Sequence, residues 1–323
     1  MTAIVRLALL IAIPMAAAGC AQAPEGDAPD RPQVVATTTQ VGSLAREIGG
    51  DAIGLTVLME PGIEAHDFEL TPEAGAALEQ ADLILVSGAG LEAWLEEALE
   101  TIGGADRTRD LSAGIRLREP AEEEPAHGHD AEDEHAEEEP GAAHDVDPHY
   151  WLSAPNAVIM AENARDALAE AVPESADTFT QRAQILNDRL ESADDEIRSL
   201  IDEIPADERK IVTDHDALGY FIDEYGLTFV GSVFPIMDVA SEPSARDIEA
   251  LVSDVRAAGV SAIFTESSVN PRLARAVAEE TGARIVDEPI YTDSLGAEGS
   301  GAETLDGMLL HNALVIRDGL LGD

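Results

Sequence analysis

The sequence predicts an α/β protein of two lobes, each a four-stranded, mostly parallel sheet flanked by helices, joined by one long rigid helix. Three observations carry that expectation. Short β-branched runs alternate with helix-patterned stretches from residue 33 onward, the mark of parallel sheets covered by helices. The same alternation begins again at Lys210. Between the two series lies a helical pattern far longer than a strand-to-strand crossover needs. At 323 residues the chain is long enough for two domains that each bury a core.

Taken in order, residues 1–20 read as a secretory signal. Arg6 precedes an apolar run over 7–18 that is shorter than the ~20 residues a membrane span needs, and small residues follow. Cys20, the only cysteine, comes directly after Ala18-Gly19, where a bacterial lipoprotein signal is cut and the new terminal cysteine acylated. Ala17 stands where such signals usually carry a larger aliphatic residue, so plain secretion is the alternative to a lipid anchor. Segment 21–32 is proline-containing, small and acidic, which predicts a flexible tether.

The first lobe is expected over 33–154, with strands at 34–38, 55–59 and 83–87 and helices at 41–48, 72–81 and 91–102. Thr71 is placed as an N-cap with Pro72 at the first helical position. Within this lobe, 119–147 is a run of Glu, Asp, His, Pro and Ala with almost nothing to bury, predicted to be disordered. Thirteen acidic residues fall there, yet the whole chain carries −46, so the acidity is global and nucleic acid is excluded as a partner.

A helix over 155–172 leads into a spine helix within 173–204, whose apolar positions Phe179, Ala183, Leu186, Leu190, Ala193, Ile197 and Leu200 step by four and three. At ~1.5 Å per residue it would run about 45 Å, the height of a two-lobed molecule, and would limit lobe motion to a small tilt. The second lobe, 205–323, is expected to hold strands at 211–213, 228–233, 262–265 and 284–286 and helices at 217–225, 245–258, 271–281 and 304–320.

Candidate chemistry gathers where strands of open parallel sheets end. His66 follows the second strand, His149 stands at the exit of the first lobe, His215 follows the first strand of the second lobe, and Asp293 follows the last. Each alone reads more simply as a hydrogen-bonded structural residue. Together they offer two donors from each lobe to a single cation.

Their neighbourhoods resemble the TroA/ZnuA-like (cluster A-I) metal-binding proteins of ABC importers, over nearly the whole mature length. Pro61-Gly62-Ile63-Glu64-Ala65-His66-Asp67-Phe68-Glu69-Leu70-Thr71-Pro72 is similar to that family's first-ligand segment, and Asp147-Pro148-His149-Tyr150-Trp151-Leu152 to its second. His215-Asp216-Ala217-Leu218-Gly219-Tyr220-Phe221 is similar to the third. Glu242-Pro243-Ser244 and Ile263-Phe264-Thr265-Glu266-Ser267, running to Asn270-Pro271, match the stretches that follow. Ala65 before His66 and Glu288 before Asp293 depart from the family pattern.

The resemblance implies an extracytoplasmic monomer, lipid-anchored or periplasmic, that binds an ion at His66, His149, His215 and Asp293 and hands it to a membrane permease. Relatives of the manganese type tend to carry glutamate at the place of His215, so the resemblance here implies zinc. Three imidazoles and one carboxylate suit tetrahedral Zn²⁺, whereas Mn²⁺ favours oxygen and higher coordination. Glu64 is the alternative fourth ligand, and Glu266 is placed to orient an imidazole from behind. His127, His129, His135 and His144 in the acidic segment are either a loose zinc-capture loop or part of a solvated spacer.

A manganese importer component and an adhesin on the same scaffold are the other functional readings. A zinc hydrolase would need an open coordination position and a general base. No HExxH helix or GxSxG elbow is present, and Gly88-Ala89-Gly90 is too short for a nucleotide fingerprint, so the chain is not expected to be an enzyme.

Overall fold

The computed structural model describes residues 31–66, 68–119, 146–234 and 243–322. The signal segment with Cys20, nearly all of the tether, and His127, His129, His135 and His144 lie outside the described residues, as do Asp67 and Glu242.

Four short strands, β1 (Gln33–Ala36), β2 (Gly54–Val57), β3 (Leu83–Val86) and β4 (Thr108–Asp110), form one parallel sheet in the order β2-β1-β3-β4. The central strands are apolar apart from the exposed Gln33 at the start of β1, because both of their faces are covered, and every residue of β3 is buried. On one face lies α1 (Thr39–Gly49), started by Thr38, whose Oγ1 accepts from Val41 N at 3.3 Å. On the other lie α2 (Pro72–Gln80) and α3 (Glu96–Ile102). Thr71 caps α2 by accepting from Ala74 N, and Pro72 takes the first helical position.

Two features depart from the sequence expectation in this lobe. The stretch 91–102 is not one helix: a single 3₁₀ turn, Ala93–Leu95, precedes α3. Glu92 explains the delay, because its buried carboxylate accepts from Ser87 N, Gly88 N and Thr37 Oγ1 at 2.7–2.9 Å and pins the chain to the strand ends. Gly88, Ala89 and Gly90 turn the chain there with φ of 78°, 53° and 81°. The second feature is β4, three residues with no apolar run, recognisable only by its pairing with β3.

Next come α4 (Ala154–Ala171) and α5 (Ala176–Asp202). The 27 residues of α5 run about 40 Å, and all seven apolar positions read from its periodicity are buried. All of them but Ala193 belong to one core that continues from α1 and β1 through α4 and α5 into the second lobe.

In that lobe β5 (Lys210–His215), α6 (Gly219–Tyr225), β6 (Thr228–Phe234), α7 (Ala245–Ala258), β7 (Ala262–Glu266), α8 (Arg272–Thr281), β8 (Arg284–Ile290) and α9 (Leu305–Leu321) alternate. The strands form parallel hydrogen-bonded pairs, β5 with β6 and β7 with β8. At their C-terminal ends β5 and β7 are tied to each other by side chains. Asp214 Oδ2 accepts from Glu266 N, and Glu266 Oε1 accepts from His215 N, each at 2.8 Å. Packing of α7 and α8 closes one face with a separate apolar cluster, while α9 closes the other as part of the main core.

Candidate metal centre

Both lobes point strand ends at the same place. His215 is the last residue of β5 and Glu266 the last of β7, so both strands run slightly past their predicted ends. Asp293 follows β8 by three residues. From the first lobe, His66 comes from the segment after β2, and His149 stands directly before the 3₁₀ turn Tyr150–Leu152 that leads into α4. Ser153 N-caps α4, accepting from Asn156 N at 3.5 Å.

These four side chains converge. Nε2 of His66 and Nε2 of His149 are 3.2 Å apart, and Asp293 Oδ1 is 3.7 Å from the first and 3.1 Å from the second. His215 Nε2 lies 3.2 Å from Asp293 Oδ2. Four donors around a tetrahedral zinc at ~2.0–2.1 Å would stand about 3.3 Å from one another. Within the His66, His149 and Asp293 group the separations bracket that figure, while His215 meets the other oxygen of Asp293 and groups with Glu266 rather than with the other two histidines. His149, His215 and Asp293 are essentially inaccessible to solvent, and His215 Nε2 is buried without an aligned hydrogen bond. A buried polar atom in that condition suits coordination to a cation.

A second layer sets the direction of two imidazoles. Asp147 Oδ1 accepts from His149 N at 3.0 Å and lies 2.9 Å from His149 Nδ1. Glu266 Oε2 lies 2.7 Å from His215 Nδ1 and accepts from Thr292 Oγ1 at 2.7 Å. In each case a carboxylate behind the ring leaves Nε2 facing the centre. The sequence motif Asp147-Pro148-His149 gives no role to Asp147, although a carboxylate two residues before a candidate ligand is a signal for one. The loop that carries Asp293 is itself held by the first lobe. Thr292 O accepts from Gln40 Nε2 at 3.2 Å and from Trp151 Nε1 at 2.9 Å, and Leu295 N donates to Thr39 Oγ1 at 2.8 Å.

Electrostatics follow from this crowding. Burial alone would raise the Asp293 carboxyl, but His215 and His149 outweigh it and hold Asp293 well below the usual range. Burial opposes charge on His149 too, yet Asp147 and Asp293 push its pKa up to about 10. His215 is raised well above the ordinary imidazole value, with Glu266 and Asp293 overcoming its burial. Glu64 stands at the edge of the group, and burial, with Asp293 nearby, raises its carboxyl to about 8. Its Oε1 accepts from His66 N at 3.3 Å, while Oε2 is buried with no hydrogen-bond partner. Without a cation, the centre is a cluster of imidazoles and carboxylates that shares protons.

Comparison with known proteins bears on what such a cluster serves. Residues 34–319 match the family described as zinc-uptake complex component A, periplasmic. The manganese-binding lipoprotein MntA of Bacillus subtilis is 30% identical over 321 residues, covering 97% of this chain and 98% of that protein. The iron-binding protein YfeA of Yersinia pestis is 30% identical over 266 residues, covering 82% of this chain and 79% of its own. Among solved structures, the periplasmic zinc-binding protein TroA of Treponema pallidum superposes with a TM-score of 0.78 at 26% identity, over 90% of this chain and 99% of that one.

Proposed function

The chain belongs to the family of periplasmic components of zinc-uptake complexes, metal-binding proteins of ABC transporters rather than enzymes, and from that premise we propose that it captures Zn²⁺ between its lobes and delivers it to a membrane permease. His66, His149 and His215 supply three nitrogen donors and Asp293 one oxygen. The observation that carries the reading is the approach of three Nε2 atoms to one carboxylate at 3.1–3.7 Å.

Like the family's other members, the chain works outside the cytoplasm, and no helix among the described residues is long and apolar enough to cross a membrane. Acylation of Cys20 would tether the monomer to the membrane by the segment 21–32. The histidines of the acidic segment would raise the local supply of the ion.

Selection of zinc rests on donor chemistry: three neutral imidazoles match a borderline ion that accepts four ligands, while Mn²⁺ calls for more oxygens. A manganese reading draws on two facts. The Bacillus subtilis relative is named for manganese, and Glu266 brings a further carboxylate within 4.8 Å of the His215 and Asp293 donors. Metal analysis of the purified protein, followed by competition among Zn²⁺, Mn²⁺ and Cu²⁺, decides between them. One tightly held zinc per chain that excess Mn²⁺ does not displace is the expected result; displacement by Mn²⁺ at equal concentration overturns the choice of ion.

A further inference from the structure

Arg118 and Asp147, on either side of the acidic segment, meet in an isolated antiparallel bridge, in which Asp147 N donates to Arg118 O at 2.9 Å. The Tyr220 hydroxyl is an added rung of that bridge, accepting from Arg118 N and donating to Asp147 O, each at 2.8 Å. The Arg118 guanidinium then folds over the start of α6, 5.6 Å from the centre of the Tyr220 ring. Its Nη1 donates to Asp147 Oδ2 at 2.8 Å and its Nε donates to Asp223 Oδ2 at 2.7 Å. Gly219 makes this approach feasible, since a Cβ there would lie 1.7 Å from Arg118 Nη1 and 2.9 Å from Asp147 Oδ2.

One planar cation therefore grips two carboxylates that belong to different lobes. Asp147 stands behind His149 in the first lobe. Asp223 is on α6, the helix that begins four residues after His215 in the second. We propose that Arg118 is a cross-lobe positioning residue: by holding Asp147 and Asp223 together, it sets the His149 ring in register with His215. The inference rests on His149 being a ligand. An imidazole fixed from behind presents its other nitrogen in one direction, and such outer partners commonly govern metal affinity about 10–100-fold. The fork of a guanidinium fixes the angle between two carboxylates, which a lysine ammonium, as a point charge, cannot do.

The test measures Zn²⁺ affinity by chelator competition and the visible spectrum of bound Co²⁺, on the full chain. His149→Ala is the control for the ligand itself and is expected to weaken binding the most. Arg118→Gln is expected to lower Zn²⁺ affinity about 10–100-fold and to change the Co²⁺ bands, with Arg118→Lys recovering only part. Asp223→Asn is the sharper variant, because that carboxylate is 63% exposed and makes no contact with the centre. It is expected to cost at least about threefold in affinity alone and to add nothing to Arg118→Gln, as coupled residues behave. Gly219→Ala, which displaces the guanidinium without removing its charge, is expected to behave like Arg118→Gln.

If His149→Ala weakens binding while Arg118→Gln or Asp223→Asn binds zinc as the wild type does, the positioning role is overturned and the ligand stands. Full additivity of Asp223→Asn with Arg118→Gln overturns the coupling as well. If His149→Ala binds like the wild type, the ligand assignment falls and takes this inference with it.

Discussion

His149 and His215 carry the same ring at the same centre, but the two lobes hold those rings in different ways. Behind His149 stands Asp147, whose other oxygen is answered by Arg118, a cation with a side chain 26% exposed. Behind His215 stands Glu266, whose partners are all buried: the Thr292 hydroxyl, His215 N and the adjoining Asp214 end of β5. The difference teaches that orienting an imidazole and building the sheet are separate tasks in the first lobe and a single task in the second. Glu266 both backs the ring and stitches β5 to β7, where the strands are not joined by a backbone ladder.

The comparison breaks most visibly at the donors themselves. If both lobes contribute ligands, His66→Ala from one side and Asp293→Ala from the other should each lower zinc affinity by more than about 100-fold, beyond the loss typical of outer partners. Chelator competition reads the result. A large loss from one lobe only would leave the ion bound on a single face, not between lobes.

A smaller effect separates the two backing carboxylates. Glu266→Gln keeps the shape but removes one acceptor where nothing can replace it, and should cost the metal-free protein about 1–3 kcal/mol of folding stability. Asp147→Asn should cost less, since its Arg118 partner can turn to water and Asp223. Urea unfolding of the two variants measures the difference, and equal losses would mean that Asp147 is as deeply built into its lobe as Glu266 is.

The smallest effect per step is the pH dependence of the metal-free form. Glu64 is raised from 4.5 to about 8, so between those values the folded chain keeps a proton that the unfolded chain has released, and stability falls as pH rises. His149, raised from 6.5 to about 10, extends the fall: its contribution is complete below 6.5 and is lost as pH rises through 10. Each group contributes at most about 1.4 kcal/mol per pH unit. Asp147 and Asp293 act in the opposite sense and only in acid, because their depressed values remove stability as pH drops below the ordinary 3.8. Zinc must displace the protons, so with zinc bound the fall should disappear and the curve flatten once the unfolded histidines have lost theirs. Thermal melts from pH 6 to 9, with and without the ion, show both slopes; a metal-free protein that gains stability across that range would contradict the shared-proton picture of the cleft.

Much of the fold was readable along the chain because helix and strand periodicity is a local property. The buried stripe of α5, the Thr71-Pro72 start of α2 and the two βα series all express that local code. Its limits show at β4, where Thr108, Arg109 and Asp110 have no strand pattern of their own and acquire one from β3. They show again at 91–102, where the pull of Glu92 toward Ser87 and Gly88 competes with helical spacing.

By itself, then, the amino-acid order determined the α/β class, the doubling into lobes, the long connecting helix, and the kinds of donor on offer at strand ends. Glu266 was on offer in the sequence as a group behind an imidazole, but only the folded chain decided that His215 is the ring it backs, and that Asp147 and Arg118 stand behind His149. Arg118 meets Asp223 across 105 positions and Glu266 meets His215 across 51. Contacts of that reach depend on how lobes pack and which rotamer each side chain adopts, and neither leaves a period in the sequence.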